Sequence, residues 1–211
     1  IVTNNHVIEG ADEITVIMSN QKEFTAELLG RDPKADLAVL KIDPGTTILT
    51  AVEWGDSESM RVGDWSIAIG NPLNLGGTVT AGIISAISRD LRGSSPYVKF
   101  LQTDASINKG NSGGALIDTN GRLVGINTII RSTSGGSEGV GLAIPSSVAL
   151  NVISDLIQYG EVKRGWLGFS INQVDLLENS QLVVSEVVQD SPASNSGMTK
   201  DDLILSINGQ K

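Results

Sequence analysis

Short apolar runs separated by turn formers dominate the chain. Ile14 to Met18, Phe24 to Leu29, Leu37 to Ile42, Trp65 to Ile69 and Thr78 to Ile87 come first. Tyr97 to Leu101, Ala115 to Ile117, Leu123 to Ile130 and Val140 to Ile144 continue the series. Asp32-Pro33, Asp43-Pro44-Gly45, Asn71-Pro72, Asn120-Gly121 and Gly135-Gly136 divide them. Many short β-branched runs with regular turn signals predict strands of a barrel or sandwich. One segment has another period. Val148, Val152, Ile153, Leu156, Ile157 and Tyr159 follow Pro145-Ser146-Ser147 at helical spacing. They predict a serine-capped helix stopped by Gly160. The polar stretch 161–165 reads as a linker. Strand-like runs then resume at Trp166 to Ile171, Leu182 to Val188 and Leu203 to Ile207.

Composition narrows the function classes. With 211 residues, 40% of them hydrophobic and 18% charged, the chain suits one full domain and part of another. A formal net charge of -9 repels phosphate backbones and gives no attraction to anionic lipid. The absence of cysteine excludes a disulfide framework, a thiolate metal site and a cysteine nucleophile. No apolar run is long enough to span a bilayer. Ile1-Val2-Thr3 reads as the inside of a strand, and Asn208-Gly209 as a turn leading onward. Both ends therefore read as cuts through a longer protein.

The strongest local signal is Gly110-Asn111-Ser112-Gly113-Gly114. A serine hydroxyl attacks only when a base takes its proton and donors receive the developing oxyanion. Glycines allow the sharp bend that aims main-chain amides at one point. Here those amides are expected from Gly110 and Ser112. Taken alone, the block also reads as a glycine-rich turn. The chain holds one histidine, His6, so an imidazole base from this chain must be His6. A structural histidine is the alternative. Asp36 opens the apolar run Leu37-Ala38-Val39-Leu40, where a carboxylate needs a partner. The Nδ1–H of an imidazole would satisfy it and fix the base's tautomer. The other reading is a loop carboxylate paired with Lys34. Asp32, just before Pro33, reads as a turn residue.

These blocks resemble the HtrA/Deg family of serine proteases. The matching segments are Thr3-Asn4-Asn5-His6-Val7-Ile8, Asp36 to Ile42, Ala68-Ile69-Gly70-Asn71-Pro72, Leu101-Gln102-Thr103-Asp104-Ala105 and Gly110 to Gly114. Gly125-Ile126-Asn127-Thr128 and Gly141 to Pro145 extend the match, in order, over nearly the whole chain. The resemblance implies an all-β fold: a chymotrypsin-like double β-barrel with a C-terminal helix, followed by the first half of a PDZ domain. It implies a protease domain over 1–160, N-terminally truncated in its first barrel, the linker 161–165 and a partial PDZ domain over 166–211. His6 and Asp36 would sit on the first barrel and Ser112 on the second, with no metal or organic cofactor.

The family further implies a homotrimer in a bacterial periplasm that cleaves unfolded, mislocalised or regulatory proteins. A membrane tether would reside only in sequence preceding this chain. Loops at 72–77, 88–98, 107–111 and 129–139 match those that order the oxyanion hole, and Arg89 matches the arginine that relays their signal. Ile107, Ile130 and Val140 are the expected walls of the primary specificity pocket, which lacks an acidic base and so suits a small aliphatic side chain. Trp166-Leu167-Gly168-Phe169 matches the PDZ loop that receives a peptide's terminal carboxylate. Ile1-Val2 looks like an activated trypsin-type amino terminus. However, Asn111 stands where that mechanism needs an aspartate, and the zymogen reading fails. The competing function is a peptide-sensing or chaperone-like binding protein without turnover.

Overall fold

A computed structural model describes residues 1–71, 76–90, 96–130, 132, 136–175 and 180–209. The chain divides into two compact units, Ile1–Val162 and Lys163–Lys211. In the first unit, β1 (Val2–Thr3) is followed by the single-turn helix α1 (Asn5–Ile8). Then come β2 (Thr15–Ile17), β3 (Glu23–Asp32) and β4 (Leu37–Ile42). They form a four-stranded sheet in the order β1-β4-β3-β2, an open sheet as expected of a truncated first barrel. Its strands pair antiparallel, with a register shift between Leu28 and Gly30 in β3.

A 3₁₀ turn at Ser57–Ser59 leads into the second part. Its strands are β5 (Trp65–Gly70), β6 (Thr78–Arg89), β7 (Phe100–Thr103), β8 (Ala115–Ile117), β9 (Leu123–Ile130) and β10 (Gly141–Pro145). Together they close into a six-stranded antiparallel barrel, which leaves no free edge. Within it pack Met60, Ala68, Ile84, Leu101, Ala105, Ile107, Leu116, Val124 and Ala143. Alternation explains the filling: in β5, Ser66 and Ala68 are buried while Trp65 is exposed.

The predicted helix is α2 (Ser146–Tyr159). Its Ala149, Val152, Ile153 and Leu156 bury against Leu37 and Val39 of β4 and against Ile126 and Ile144 of the barrel. This single core joins the sheet to the barrel. Gly160, at φ 77°, ends the helix as expected, its amide donating to the Leu156 carbonyl at 3.0 Å. The serine cap differs from expectation. Pro145 holds the cap position, and Ser146 turns away to donate to the Gly55 carbonyl at 2.8 Å and accept from Ser57 N–H at 3.1 Å. A buried main chain crossing the helix start takes the hydroxyl that the helix would have used.

The second unit contains β11 (Phe169–Asp175), β12 (Ser180–Val187), the short helix α3 (Pro192–Asn195) and β13 (Leu203–Ile204). The three strands form one antiparallel sheet, β11-β12-β13. The run from Trp166 becomes strand only at Phe169, because Gly168 adopts φ +82° and turns the chain. Ser191 caps α3, accepting from Ser194 N–H at 3.1 Å.

Candidate active site

Asn4, Asn5 and His6 lead into α1 beside the start of β4, where Asp36 stands. Asp36 adopts φ +54°, a left-handed conformation that aspartate tolerates better than most residues. That turn brings its carboxylate back onto the helix. Oδ2 lies 2.7 Å from His6 Nδ1, and Oδ1 accepts the main-chain N–H of His6 at 3.0 Å. The carboxylate therefore fixes both the ring and the backbone that carries it. Lys34 is not its partner; the Lys34 ammonium lies 5.3 Å from the Tyr97 ring centre. Asp32 takes its turn role, accepting from Lys34 and Ala35 amides at 3.3 and 3.2 Å.

A residue not singled out in the sequence completes this network. Thr128 of β9 donates its hydroxyl to Asp36 Oδ2 at 2.6 Å. Its carbonyl accepts the Ser112 hydroxyl at 3.0 Å. Thr128 thus links the carboxylate of the sheet to the serine of the barrel loop. It stood within Gly125-Ile126-Asn127-Thr128, but a threonine in an apolar strand carries no local sign of such a partner. The Ser112 hydroxyl bonds this carbonyl and not the imidazole. In an unliganded site the serine–base bond is often unmade.

The nucleophile loop is held from several sides. Gly113 N–H donates to the Asn127 carbonyl at 2.8 Å, and Asn127 Nδ2 donates to the Ala115 carbonyl at 3.0 Å. Gly113, at φ +81°, packs so closely on Thr3 and on the Asn4 main chain that a Cβ has no space. The two halves of the site therefore meet along this seam. Asn111 N–H closes a turn onto the Asn108 carbonyl at 3.0 Å, and Gly110 takes φ +103°. The amides of Gly110 and Ser112 donate to no partner among the described residues, and so stay available to an incoming oxygen. The Ile1 amine donates to the Leu40 carbonyl at 2.7 Å, away from Asn111.

A cleft of about 420 Å³ beside the imidazole is lined by Asn5, His6, Pro33, Lys34, Asp36, Phe100 and Ile129. Ile107, Ile130 and Val140 do not line this cleft. Ile107 is 1% exposed and packs in the barrel core, with its side chain against Gly141. Ile130 packs half-buried on the same core, and Val140 is half-buried ahead of β10. Arg89, at the end of β6, donates Nε to Gln102 Oε1 of β7 at 3.0 Å. Residues 72–75, 91–95, 131 and 133–135 of the expected control loops lie outside the described residues. Among the described residues, no group of three His, Cys, Asp or Glu side chains could hold a metal ion. None of their helices is long and apolar enough to cross a membrane.

In the second unit, Trp166 and Leu167 are exposed and Phe169 is half-buried. The Leu167 carbonyl accepts from Ala193 N–H at 2.9 Å and the Gly168 carbonyl from Val188 N–H at 2.7 Å. The amides of Leu167 and Gly168 donate to no described partner. That is the inventory a carboxylate-receiving loop needs.

Comparison with known proteins agrees with this geometry. A trypsin-like peptidase domain profile matches residues 1–126, and a PDZ domain profile matches residues 156–211. The whole chain is 46% identical to a probable periplasmic serine endoprotease DegP-like of Brucella suis biovar 1 (strain 1330), covering 42% of that protein. It is 44% identical to the periplasmic serine endoprotease DegP of Escherichia coli (strain K12), covering 46% of it. The chain thus spans less than half the length of these curated relatives. Among solved structures, the HtrA-type protease AlgW with tripeptide superposes over the full chain at a TM-score of 0.91, with 48% identity and 72% of that chain covered.

Proposed function

The chain belongs to the HtrA-type family of trypsin-like serine proteases, and from that premise we propose that the whole protein is a serine endopeptidase using Ser112, His6 and Asp36. The observation that carries this reading is the hydrogen-bonded path from His6 Nδ1 to Asp36, to Thr128, to Ser112. Asp36 keeps the proton on Nδ1, leaving Nε2 as the base. When a peptide enters, Ser112 turns its hydroxyl from the Thr128 carbonyl to that nitrogen. Its proton passes to His6 as Oγ bonds the scissile carbonyl carbon. The amides of Gly110 and Ser112 take the oxyanion, and His6 returns the proton to the departing amine. Water then cleaves the acyl-enzyme with the same base.

Unfolded, mislocalised or regulatory proteins of the bacterial periplasm are the proposed substrates. The names of the relatives support that compartment. Peptide C-termini are the proposed ligands of Trp166, Leu167, Gly168 and Phe169. A homotrimer is the proposed assembly, and Arg89 with its Gln102 contact the proposed relay to the oxyanion loop. One observation favours the alternative of a binding protein without turnover: Ser112 rests on Thr128 and not on His6. A fluorophosphonate probe decides between them. The full-length protein should be labelled, with labelling lost in Ser112→Ala and His6→Ala. Casein cleavage should fall by about 10⁶-fold without the nucleophile. A folded full-length protein that takes no label would be a binder.

A further inference from the structure

An asparagine directly before a helix ordinarily folds its side-chain oxygen onto an amide two or three positions ahead. Asn4 holds that position before α1 and makes no such bond. The amide it would serve, His6 N–H, donates instead to Asp36 Oδ1 at 3.0 Å. Asn4 in turn donates Nδ2 to the main-chain carbonyl of Asp36 at 2.9 Å. The two residues have exchanged tasks. Asp36 caps the helix that bears His6, and the displaced cap residue grips the backbone of Asp36.

That grip falls where it has leverage. At φ +54° Asp36 occupies a left-handed backbone conformation, more open to aspartate than to most residues but still less favourable than the right-handed one unless its surroundings hold it. Rotation back to the ordinary right-handed region would swing the carboxylate away from His6 Nδ1 and from Thr128. Asn4 is 0% exposed, and its main chain lies against Gly113, so its amide has no route to solvent. It is the one side chain with a hydrogen bond to the Asp36 carbonyl among the described residues.

We infer that Asn4 is a positioning residue: its amide locks the left-handed backbone of Asp36 and thereby holds the carboxylate on His6. The functional consequence rests on the protease reading above, whereas the geometric one does not. His6 is the only histidine of this chain, and its ¹⁵N imidazole resonances, assigned in the full-length protein by their loss in His6→Gln, report the lock directly. The full-length protein should show the neutral ring protonated at Nδ1. Asn4→Ala removes the amide and Asn4→Leu removes it while keeping the volume filled. Both should shift the ring toward the Nε2–H tautomer, as Asp36→Asn does. Both should lower casein turnover by about 10- to 100-fold with KM within twofold, short of the roughly 10⁴-fold cost of neutralising the orienting carboxylate. An unchanged tautomer in either folded variant overturns the proposal. So does a change in Asn4→Ala that Asn4→Leu reverses, since Asn4 would then act by filling space. If wild type neither takes a fluorophosphonate nor cleaves casein, the protease reading fails, and the tautomer comparison still decides the hold on Asp36.

Discussion

The Thr128 hydroxyl lies 2.6 Å from the Asp36 carboxylate, although 92 positions separate the two residues in the chain. A hydroxyl bonded to a carboxylate is a charge-assisted contact, stronger than a neutral one. Thr128→Val keeps the β-branched shape and the carbonyl that receives Ser112 but deletes this donor. Such bonds contribute about 1.5–3 kcal/mol, so turnover should drop by about 10- to 100-fold with little change in KM. Steady-state kinetics on a chromogenic peptide checks it. A drop confined to KM would mean that Thr128 contacts substrate and leaves Asp36 unaffected.

The end of α2 approaches β3 main chain to main chain at Gly30. A Cβ on Gly30 would stand 2.5 Å from the Gly160 carbonyl oxygen, and neither backbone can yield cheaply. Gly30→Ala should destabilise the first unit by about 1–3 kcal/mol, the usual cost of overpacking. Urea denaturation followed by tryptophan fluorescence measures it. A midpoint matching wild type would show that the helix end slides freely.

Ser146 is 1% exposed and serves the segment before β5. Its loss in Ser146→Ala leaves the buried Ser57 amide and the half-buried Gly55 carbonyl without this partner. Leaving such groups unpaired costs about 1–3 kcal/mol. Thermal melts of the two proteins should separate accordingly. Ser146→Thr, which retains the hydroxyl, should recover part of the loss.

Asp118 governs an acid-dependent contribution. Desolvation raises its pKa, but the amide N–H groups of Arg122 and Asn120, the Asn120 side chain and the Arg122 charge outweigh it, and the pKa lies below that of an ordinary aspartate. A carboxyl with a depressed folded pKa stabilises the fold above its unfolded value of about 3.9 and loses that contribution as pH falls through the folded one. Wild type should therefore exceed Asp118→Asn in stability at pH 7, and the gap should close below pH of about 4. Paired denaturation curves across that range provide the check. A gap that widened on acidification would contradict the sign.

Much of this architecture was legible because its cause is local. The spacing of Val152, Ile153 and Leu156 gave the helix, Gly160 its end, and turn formers most strand limits. The single histidine and the glycines around Ser112 pointed to one another by elimination and chemistry. What stayed hidden depends on partners far away in sequence. Nothing near Thr128 announces Asp36, and nothing near Ser146 announces Ser57. The place of Ile107 in the barrel core depends on strands far from it in sequence. The turn of α1 is too short to generate periodicity, and nothing beside Asn4 announces the Asp36 carbonyl that it holds.

The close packing of Gly113 on the Thr3 side chain and the Asn4 amide means that the gap between acid–base pair and nucleophile has no room for one further carbon. Side-chain exchanges in the surrounding cleft can alter which sequences are accepted without recalibrating that gap. Conversely, a methyl group added at position 113 would act as a wedge, parting sheet from barrel and disabling every substrate alike.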